Sequence, residues 1–138
     1  MHKFKQELLV GTHNFTATTG NTFKIALYTS SATLGAGTTA FTTSNEITNT
    51  SGTAYTSGGA TLTSVTPTTD STTAVCDFAD VSFTSASFTA NGALIYNDDQ
   101  SDKAVAVIAF GGDKTVSSGT FTIQFPTADA TNAIIRLA

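Results

Sequence analysis

Hydrophobic and polar residues alternate with a period of two along most of this chain. In the stretch FKIALYT, Phe23, Ile25 and Leu27 fall on one face, which is typical of a half-buried β-strand. The stretch TFTIQF shows the same alternation up to Pro126, and the closing NAIIRLA predicts a last strand. These periods predict a protein built mainly from β-strands.

Two further stretches predict strands with local irregularities. ATLTSVT ends at Pro67, which has no backbone N–H to donate and therefore suits the edge of a sheet. TAVCDFADVSFT alternates over a longer span, and the alternation slips near Ala79 and Asp80, which predicts a β-bulge. Residues 31–60 are rich in Ser, Thr, Gly and Asn, and we expect long loops there, interrupted by short edge strands.

The clearest local prediction is the β-hairpin GALIYN–DDQS–DKAVAVIAF. Both arms are rich in residues that favour strands, and the second arm is apolar on both faces up to Phe110. That pattern is typical of a central strand that is covered on each side, either by a second sheet or by another subunit. The GGD that follows, residues 111–113, predicts a turn.

The first ten residues are the one stretch with helical periodicity. Phe4, Leu8 and Leu9 fall on one face of such a helix, and Gly11 would end it. One short helix cannot bury its own apolar face, so it needs a partner. Two partners fit equally well: the protein's own sandwich or a neighbouring subunit.

Together these elements define the expected architecture. Roughly seven to nine strands, with a turn about every ten residues, predict an all-β protein: an antiparallel β-sandwich, jelly-roll-like, with a short N-terminal helical or extended arm. We place the arm at residues 1–22 and the sandwich domain at residues 23–138. A chain of 138 residues is long enough for one such domain with its own core.

Composition adds that the chain is poor in charge. Charged residues make up 12% of the sequence, about half the usual proportion, and Thr is the commonest residue. Threonine favours strands and keeps a partly exposed sheet face wet without adding charge. The net charge of −4, with only six scattered Lys and Arg residues, argues against a nucleic-acid partner.

Three observations bear on the compartment. The longest apolar run is residues 104–110, whereas a helix that crosses a bilayer needs about 20 residues. The N-terminal stretch lacks the apolar core of a signal peptide. The single cysteine, Cys76, excludes an internal disulfide. We therefore expect a protein that is made in a cytoplasm and does not associate with a membrane.

Three aspartates crowd the predicted hairpin tip and raise the question of a calcium loop or a catalytic acid cluster. Asp98, Asp99 and Asp102 supply carboxylates, but their spacing differs from that of known calcium loops and no glycine lets the chain wrap around an ion. Asp and Asn are also the residues that tight turns select. We interpret the cluster as a hairpin tip, and a structural cation stays open as the alternative.

No constellation of residues predicts catalysis. His2 and His13 are the two histidines, no G-x-S-x-G elbow is present, and we interpret both histidines as surface residues. Asp77 and Asp80 lie three apart on a strand and point to opposite faces unless a bulge intervenes. GAGTTA matches a dinucleotide fingerprint formally, but no helix is predicted after it. We expect no catalytic residue, no metal and no cofactor.

A sugar-binding module is a second possibility, because small β-sandwiches often bind glycans. Such sites present flat aromatic rings, and this chain has no Trp, while most of its ten Phe residues fall at inward positions of strands. Tyr96, next to the hairpin tip, is the candidate platform.

Four stretches resemble a family of small structural proteins of tailed bacteriophages. They are FKQELLVGTHNF, which runs from Phe4 to Phe15, FKIALYTSSATLG, GALIYN…KAVAVIAFG and FTIQFPTADATNAIIRLA. The first is similar to the family pattern F-K-Q-E-L-x-x-G-x-H-x-F, and the four together span nearly the whole chain. The resemblance implies a virion component, either a head decoration (cement) protein or a tail or fibre accessory, and it supplies no catalytic residue.

These observations lead to one expected function and one alternative. We expect a non-enzymatic virion protein, a capsid decoration protein that stabilises the head by binding the major capsid protein and its own copies as a dimer or trimer, after assembly in the host bacterial cytoplasm. The alternative is a tail or fibre accessory that acts as a receptor- or glycan-binding module. The candidate partner interface consists of Phe4, Leu8, Leu9 and Tyr96.

Overall fold

The computed structural model describes residues 1–48 and 54–138. Within these ranges the regular structure consists of one α-helix, seven β-strands and one 3₁₀ turn. In chain order they are α1 His2–Leu9, β1 Phe23–Tyr28, β2 Ala60–Thr61, β3 Ser64–Asp70, β4 Thr73–Phe78, β5 Val81–Asn97, the 3₁₀ turn Asp98–Gln100, β6 Lys103–Ile123 and β7 Ile135–Leu137. Residues 49–53 of the expected loop region lie outside the described residues.

The strands form two antiparallel sheets. One sheet has four strands in the order β2-β1-β5-β6, and the other has three in the order β3-β4-β7. Phe15, Phe23 and Phe78 lie in the main core, with ring centroids no more than 6.3 Å apart. The expected all-β antiparallel sandwich with a short N-terminal helix is therefore confirmed.

The helix ends where the sequence predicts. Gly11 adopts a φ of +73°, which glycine reaches without strain, and its N–H donates to the carbonyl of Leu8 at 3.1 Å. Among the described residues, no helix combines the length and the apolarity that crossing a membrane requires.

β1 and β5 are covered on both faces. Ile25 and Leu27 of β1 belong to the main core. A second, smaller cluster covers the outer face and consists of Ala26, Tyr28, Leu94, Tyr96 and Ala104. Leu34 and Phe41, from the loop after β1, pack over that second cluster. The prediction of a half-buried β1 is wrong because this loop shields its outer face.

The β5–β6 hairpin is confirmed, but its second arm is longer than predicted. Gly92 pairs with Ala109 and Ala90 pairs with Lys114, so residues 110–113 stand together opposite Asn91. The expected turn at GGD is therefore a bulge, and β6 continues through it to Ile123. The TFTIQF segment lies mostly within this same strand.

The expected central position of the second arm is wrong. In the four-stranded sheet β6 pairs with β5 alone, so it lies at an edge, while β1 and β5 hold the interior positions. The apolar pattern correctly predicted that side chains on both faces of this arm are shielded from water. It did not report which strands are hydrogen-bonded neighbours.

Two smaller predictions are also corrected by the structure. Ala79 and Asp80 form no bulge; they are the link by which the chain leaves β4 of one sheet and enters β5 of the other. Pro67 does lie on an edge strand as expected, but β3 continues past it to Asp70, with a shift of register between Val65 and Thr68.

Candidate functional site

The N-terminal helix packs against its own sandwich. Phe4 is 7% exposed, and its ring centroid lies 5.0 Å from that of His13 and 6.3 Å from that of Phe15. Phe15 stacks in turn on Phe23 of β1, at 4.5 Å. This aromatic series settles which partner covers the helix: it is the sandwich of the same chain. Contrary to the prediction, Phe4 is therefore not exposed to a partner.

A chain of buried polar side chains lies next to Phe4. Glu7 of α1 places its Oε2 3.0 Å from the Nε2 of His13. The other ring nitrogen of His13, Nδ1, lies 3.0 Å from the Nδ2 of Asn97, the last residue of β5. The same Nδ2 donates to the Oδ1 of Asn21 at 3.1 Å, and the Asn14 N–H donates to that oxygen at 2.8 Å. These hydrogen bonds connect α1 and the loop that follows it to β5.

The donor and acceptor roles in this series of hydrogen bonds follow from the Asn14 N–H at one end of it. The Asn14 N–H can only donate, so the Oδ1 of Asn21 accepts, and Asn97 must turn its amide nitrogen towards both Asn21 and His13. The Nδ1 of His13 then accepts from Asn97. The proton of the ring therefore lies on Nε2 and is donated to Glu7. These groups bond to one another and are structural.

The surface position predicted for His13 is wrong, and the role of Glu7 was missed. His13 and Glu7 are both buried. One signal in the sequence is available: Glu7 follows Phe4 by three residues, so the two share a face of the helix. A charged residue on an apolar face indicates a buried partner, but the sequence alone does not say that the partner is His13.

Two aspartates of the hairpin tip bind the start of β1. The Oδ2 of Asp99 accepts the Thr22 N–H at 2.6 Å, and the Oδ1 of Asp98 lies 3.3 Å from the Nζ of Lys24. Asp102 adopts a φ of +56°, a conformation that Asp tolerates better than most residues. Within residues 1–48 and 54–138, no three His, Cys, Asp or Glu side chains come together as a metal site would require.

The other paired carboxylates are engaged separately. The Oδ1 of Asp77 accepts the N–H of Phe78 at 2.8 Å. The Oδ1 of Asp80 accepts the N–H of Phe125 at 2.8 Å. Each carboxylate fixes backbone at a strand boundary.

Tyr96 is buried and cannot serve as a flat binding platform. Its side chain is 2% exposed, its ring stacks on Phe41 at 4.8 Å between centroids, and its hydroxyl donates to the carbonyl of Gly58 at 2.6 Å. Burial raises the pKa of Tyr96 well above its usual range. The prediction of an exposed ring next to the hairpin tip is wrong because the loop that carries Phe41 folds over it.

Glu46 organises the loop that precedes β2. Its Oε1 accepts the Tyr55 hydroxyl at 2.7 Å and the Gly58 N–H at 2.6 Å, and its Oε2 accepts the Ser57 hydroxyl at 2.8 Å. The Tyr55 oxygen also accepts the N–H of Leu27, at 2.9 Å. Burial, and then the bond to Glu46, raise the pKa of Tyr55 well above its usual range. This carboxylate is therefore a structural anchor.

The end of α1 leaves an apolar surface uncovered, which we call the helix-end surface. Leu9 is 89% exposed and Val10 is 67% exposed, whereas Leu8 is half-buried. Leu8 borders an open groove of about 340 Å³ between α1, β6 and β7, and Leu137, itself 59% exposed, lies on its other side. Of the predicted interface residues, Leu8 and Leu9 are thus placed where a partner can reach them.

The second uncovered apolar feature is the free side of β6. Residues 39–41 close this edge at its start, since the Phe41 N–H donates to the Asp102 carbonyl and the Ala104 N–H donates to the Thr39 carbonyl, both at 2.9 Å. Beyond that point no strand of the described chain pairs with this side of β6. We call residues 106–110 the open edge.

A groove of about 420 Å³ adjoins the open edge. Its apolar walls are formed by Ile108, Phe110, Phe121 and Ile123. Lys114 stands at its rim as the one charged lining residue. The groove and the open edge together make a continuous apolar border to the four-stranded sheet.

Comparisons with protein-family models, with curated proteins and with solved structures give no match to this chain.

Proposed function

We propose that this protein is a non-enzymatic structural component of a bacteriophage virion, a decoration protein that stabilises the head by binding capsid subunits and its own copies. The observation that carries the proposal is the open edge of β6. Exposed edge strands in monomeric proteins are usually protected by charges, prolines or bulges. Residues 104–109, which precede the bulge, contain no charged residue and no proline. An edge with this composition favours an assembled state.

The first support comes from the stretch that resembles the phage family pattern. Its Phe4, Glu7, His13 and Phe15 all lie buried at the junction between α1 and the sandwich. Their contacts give a physical reason for that spacing: the residues fix the arm onto the fold. A motif that specifies a fold suits a structural protein.

The second support is the helix-end surface. Leu9, Val10 and Leu137 expose large apolar side chains around α1 and β7. The groove beside Leu8 and Leu137 is also lined by Ala106 and Val107, so this surface adjoins one end of the open edge. A decoration protein needs at least two contact regions, one for the shell and one for its own copies. We assign the helix-end surface to the capsid and the open edge to self-association.

The proposal is tested by the copy number in purified virions. Quantitative gel densitometry should give a number of copies that scales with the number of major capsid subunits. A count of only a few copies per particle would contradict the decoration role and would indicate a tail or fibre location.

Capsid binding provides the matched test of the helix-end surface. Leu9→Asp should abolish binding to undecorated capsids, because it places a charge in an apolar contact. Val65→Asp is the control, since Val65 is also an exposed apolar residue, at 44%, but lies on β3. Equal binding by the two variants would refute the assignment of this surface to the capsid.

The glycan-binding alternative loses its platform, because the Tyr96 ring is covered. No other observation favours it, and we do not propose it.

A further inference from the structure

We propose that the open edge pairs with the open edge of a second copy of this chain, antiparallel, about a two-fold axis that passes beside Ile108. Two four-stranded sheets then become one continuous eight-stranded sheet. The inference rests on the proposed function, because it specifies the contact through which a decoration protein would bind its own copies.

The open edge offers what strand addition requires. An unpaired edge presents a row of free backbone N–H and C=O groups, and addition of a strand satisfies them. Ala106, Ile108 and Phe110 pack partly against the main core, while Val107 packs on the second cluster. The strand is thus apolar on both faces although one side of it is open, so a strand added there would extend both apolar faces of the sheet.

The sequence of the open edge is complementary to itself. In an antiparallel pair centred on Ile108, each Ala106 lies opposite the second copy's Phe110, and each Val107 lies opposite the second copy's Ala109. Small side chains face large ones at both positions, and the two Ile108 side chains meet at the axis. Cross-strand pairs of this kind stabilise a sheet by filling the space between strands.

Charges of both signs flank the open edge at each of its ends. Asp102 and Lys103 precede it, and Asp113 and Lys114 follow it, with no charge between them. The two-fold pairing therefore places a residue pair of opposite charges, Asp102 and Lys103 of one copy, near the end of the contact where the second copy has Asp113 and Lys114. The bulge at residues 110–113 lies between, so the pairing does not set which of these charges face each other. Within the described chain, neither lysine makes an ion pair. The same segment thus supplies opposite charges at each end of the contact.

The proposed strand pairing is limited at both ends, and an apolar groove lies beside it. Residues 39–41 occupy the edge beside residues 102–104, and the bulge at residues 110–113 ends the regular strand. Backbone pairing is therefore confined to the open edge itself. The groove lined by Phe121 and Ile123 borders it, so a second copy would also remove those apolar side chains from water.

The pairing is tested on the purified protein by sedimentation analysis over a range of concentrations. The unaltered chain should form a dimer. Ala109→Glu should raise the apparent dissociation constant at least about tenfold, because it places a charge within the paired edge. Thr120→Glu is the control: Thr120 is also exposed on β6 but lies outside the open edge. Circular dichroism of both variants verifies that the fold is kept.

Cross-linking tests the register. Opposite residues of an antiparallel pair have Cβ atoms about 4.5–5.5 Å apart, close to the reach of a disulfide. Under mild oxidation Ile108→Cys should yield a covalent dimer, whereas Thr120→Cys should not. The native Cys76 is buried and does not compete.

Three results would overturn the pairing: a monomer at every concentration, a dimer that Ala109→Glu leaves unchanged, or equal cross-linking of the two cysteine variants. These measurements use no virions. A dimer of a protein that proves absent from capsids would refute the decoration role alone, and a decorating monomer would refute the pairing alone.

Discussion

Asn97 connects three parts of the chain through one amide group. Its Nδ2 reaches the ring of His13 and the side chain of Asn21, while its own Oδ1 is buried and has no hydrogen-bond partner within residues 1–48 and 54–138. An unpaired buried oxygen costs free energy, so the two bonds made by the nitrogen must outweigh it. Asn97 is tolerated at this position because it can donate twice.

Removal of this amide should destabilise the fold. Asn97→Ala leaves the Nδ1 of His13 without its donor in a buried site, and we expect the free energy of unfolding to fall by about 2 kcal/mol. Urea titration followed by circular dichroism measures the change.

Asn91→Ala is the matched control for Asn97. Asn91 lies on the same strand and also donates its amide to one side chain, Asp113, at 3.0 Å, but at the surface. Its loss should cost less than about 1 kcal/mol. If the two variants lost the same free energy of unfolding, burial of the hydrogen-bonded polar side chains would contribute little to stability.

Residue roles were the hardest feature to predict from the sequence. The helical periodicity placed Phe4 on the apolar face of a helix and left open whether the sandwich or a partner covers it. Glu7 and His13 were classed as polar and therefore as exposed. A pattern of polarity records the type of each side chain and not its partner. The pairing of Glu7 with His13 depends on how the loop after α1 folds back, which no local rule fixes.

At the scale of elements, the approach of β2 to β1 depends on Gly59. Its φ is +81°, and a Cβ at this position would fall on the carbonyl oxygen of Ile25 and within 2.8 Å of the Cα of Ala26. The adjacent Gly58 has a φ of +94°, but a Cβ there would meet only the Tyr96 hydroxyl, at 3.4 Å. Substitutions at the two glycines therefore distinguish the cost of a steric clash from the cost of backbone strain.

Gly59→Ala should be clearly more destabilising than Gly58→Ala. Both substitutions force alanine into a left-handed conformation, at a cost of about 1 kcal/mol, but only the first drives a methyl group into β1. We expect about 3 kcal/mol or more for Gly59→Ala, because the pairing of β2 with β1 must open. Equilibrium unfolding in urea gives both values, and similar losses would contradict the close approach.

The β5–β6 hairpin shows what periodicity can and cannot predict about elements. Its two arms and its tip follow from the strand-forming residues and the aspartates of DDQS. The bulge at residues 110–113 was predicted as a turn, because glycine pairs occur in both. The edge position of β6 depends on the order of strands in the sheet, and a one-dimensional pattern carries no information about it.

The whole molecule keeps several ionisable groups in their neutral, protonated form. Burial raises the pKa of Cys76 to about 12 and that of Tyr28 to about 12, and it raises those of Tyr55 and Tyr96 further in the same direction. Cys76 lies in the three-stranded sheet, Tyr28 and Tyr96 lie in the four-stranded sheet, and Tyr55 lies in the loop before β2. In the unfolded chain they lose their protons near their ordinary values of 9.0 and 10.0.

The fold should therefore weaken in alkali. Above pH 9 the unfolded chain releases protons that the folded chain still holds, so the free energy of unfolding falls as the pH rises from about 9 towards 12. The urea midpoint, followed by circular dichroism, should be steady from pH 7 to 8.5 and then decrease. In Cys76→Ala the part of the decrease in urea midpoint that occurs at the lowest pH should be absent. A midpoint that does not change up to pH 11 would contradict this prediction.

The architecture as a whole was the most predictable feature. Alternating apolar residues, a high threonine content and frequent turns specify a two-layer β-protein, because each strand must bury one face and another sheet is the only partner that the sequence offers. The division into an arm of residues 1–22 and a sandwich is less sharp in the structure. Phe4 and Phe15 of the arm are members of the main core.

The two borders of the four-stranded sheet are unequal, and this limits how far association can proceed. At the border opposite β6 stands β2, which has only two residues. The other sheet is bordered by β3, which carries Pro67, and by β7, which has three residues. Once two molecules have joined through β6, these other border strands offer a newcomer no long uninterrupted strand, although residues 81–91 of β5 also lie beside β6 alone. Growth of the four-stranded sheet through its β2 border should therefore stop at a closed pair, even at high protein concentration.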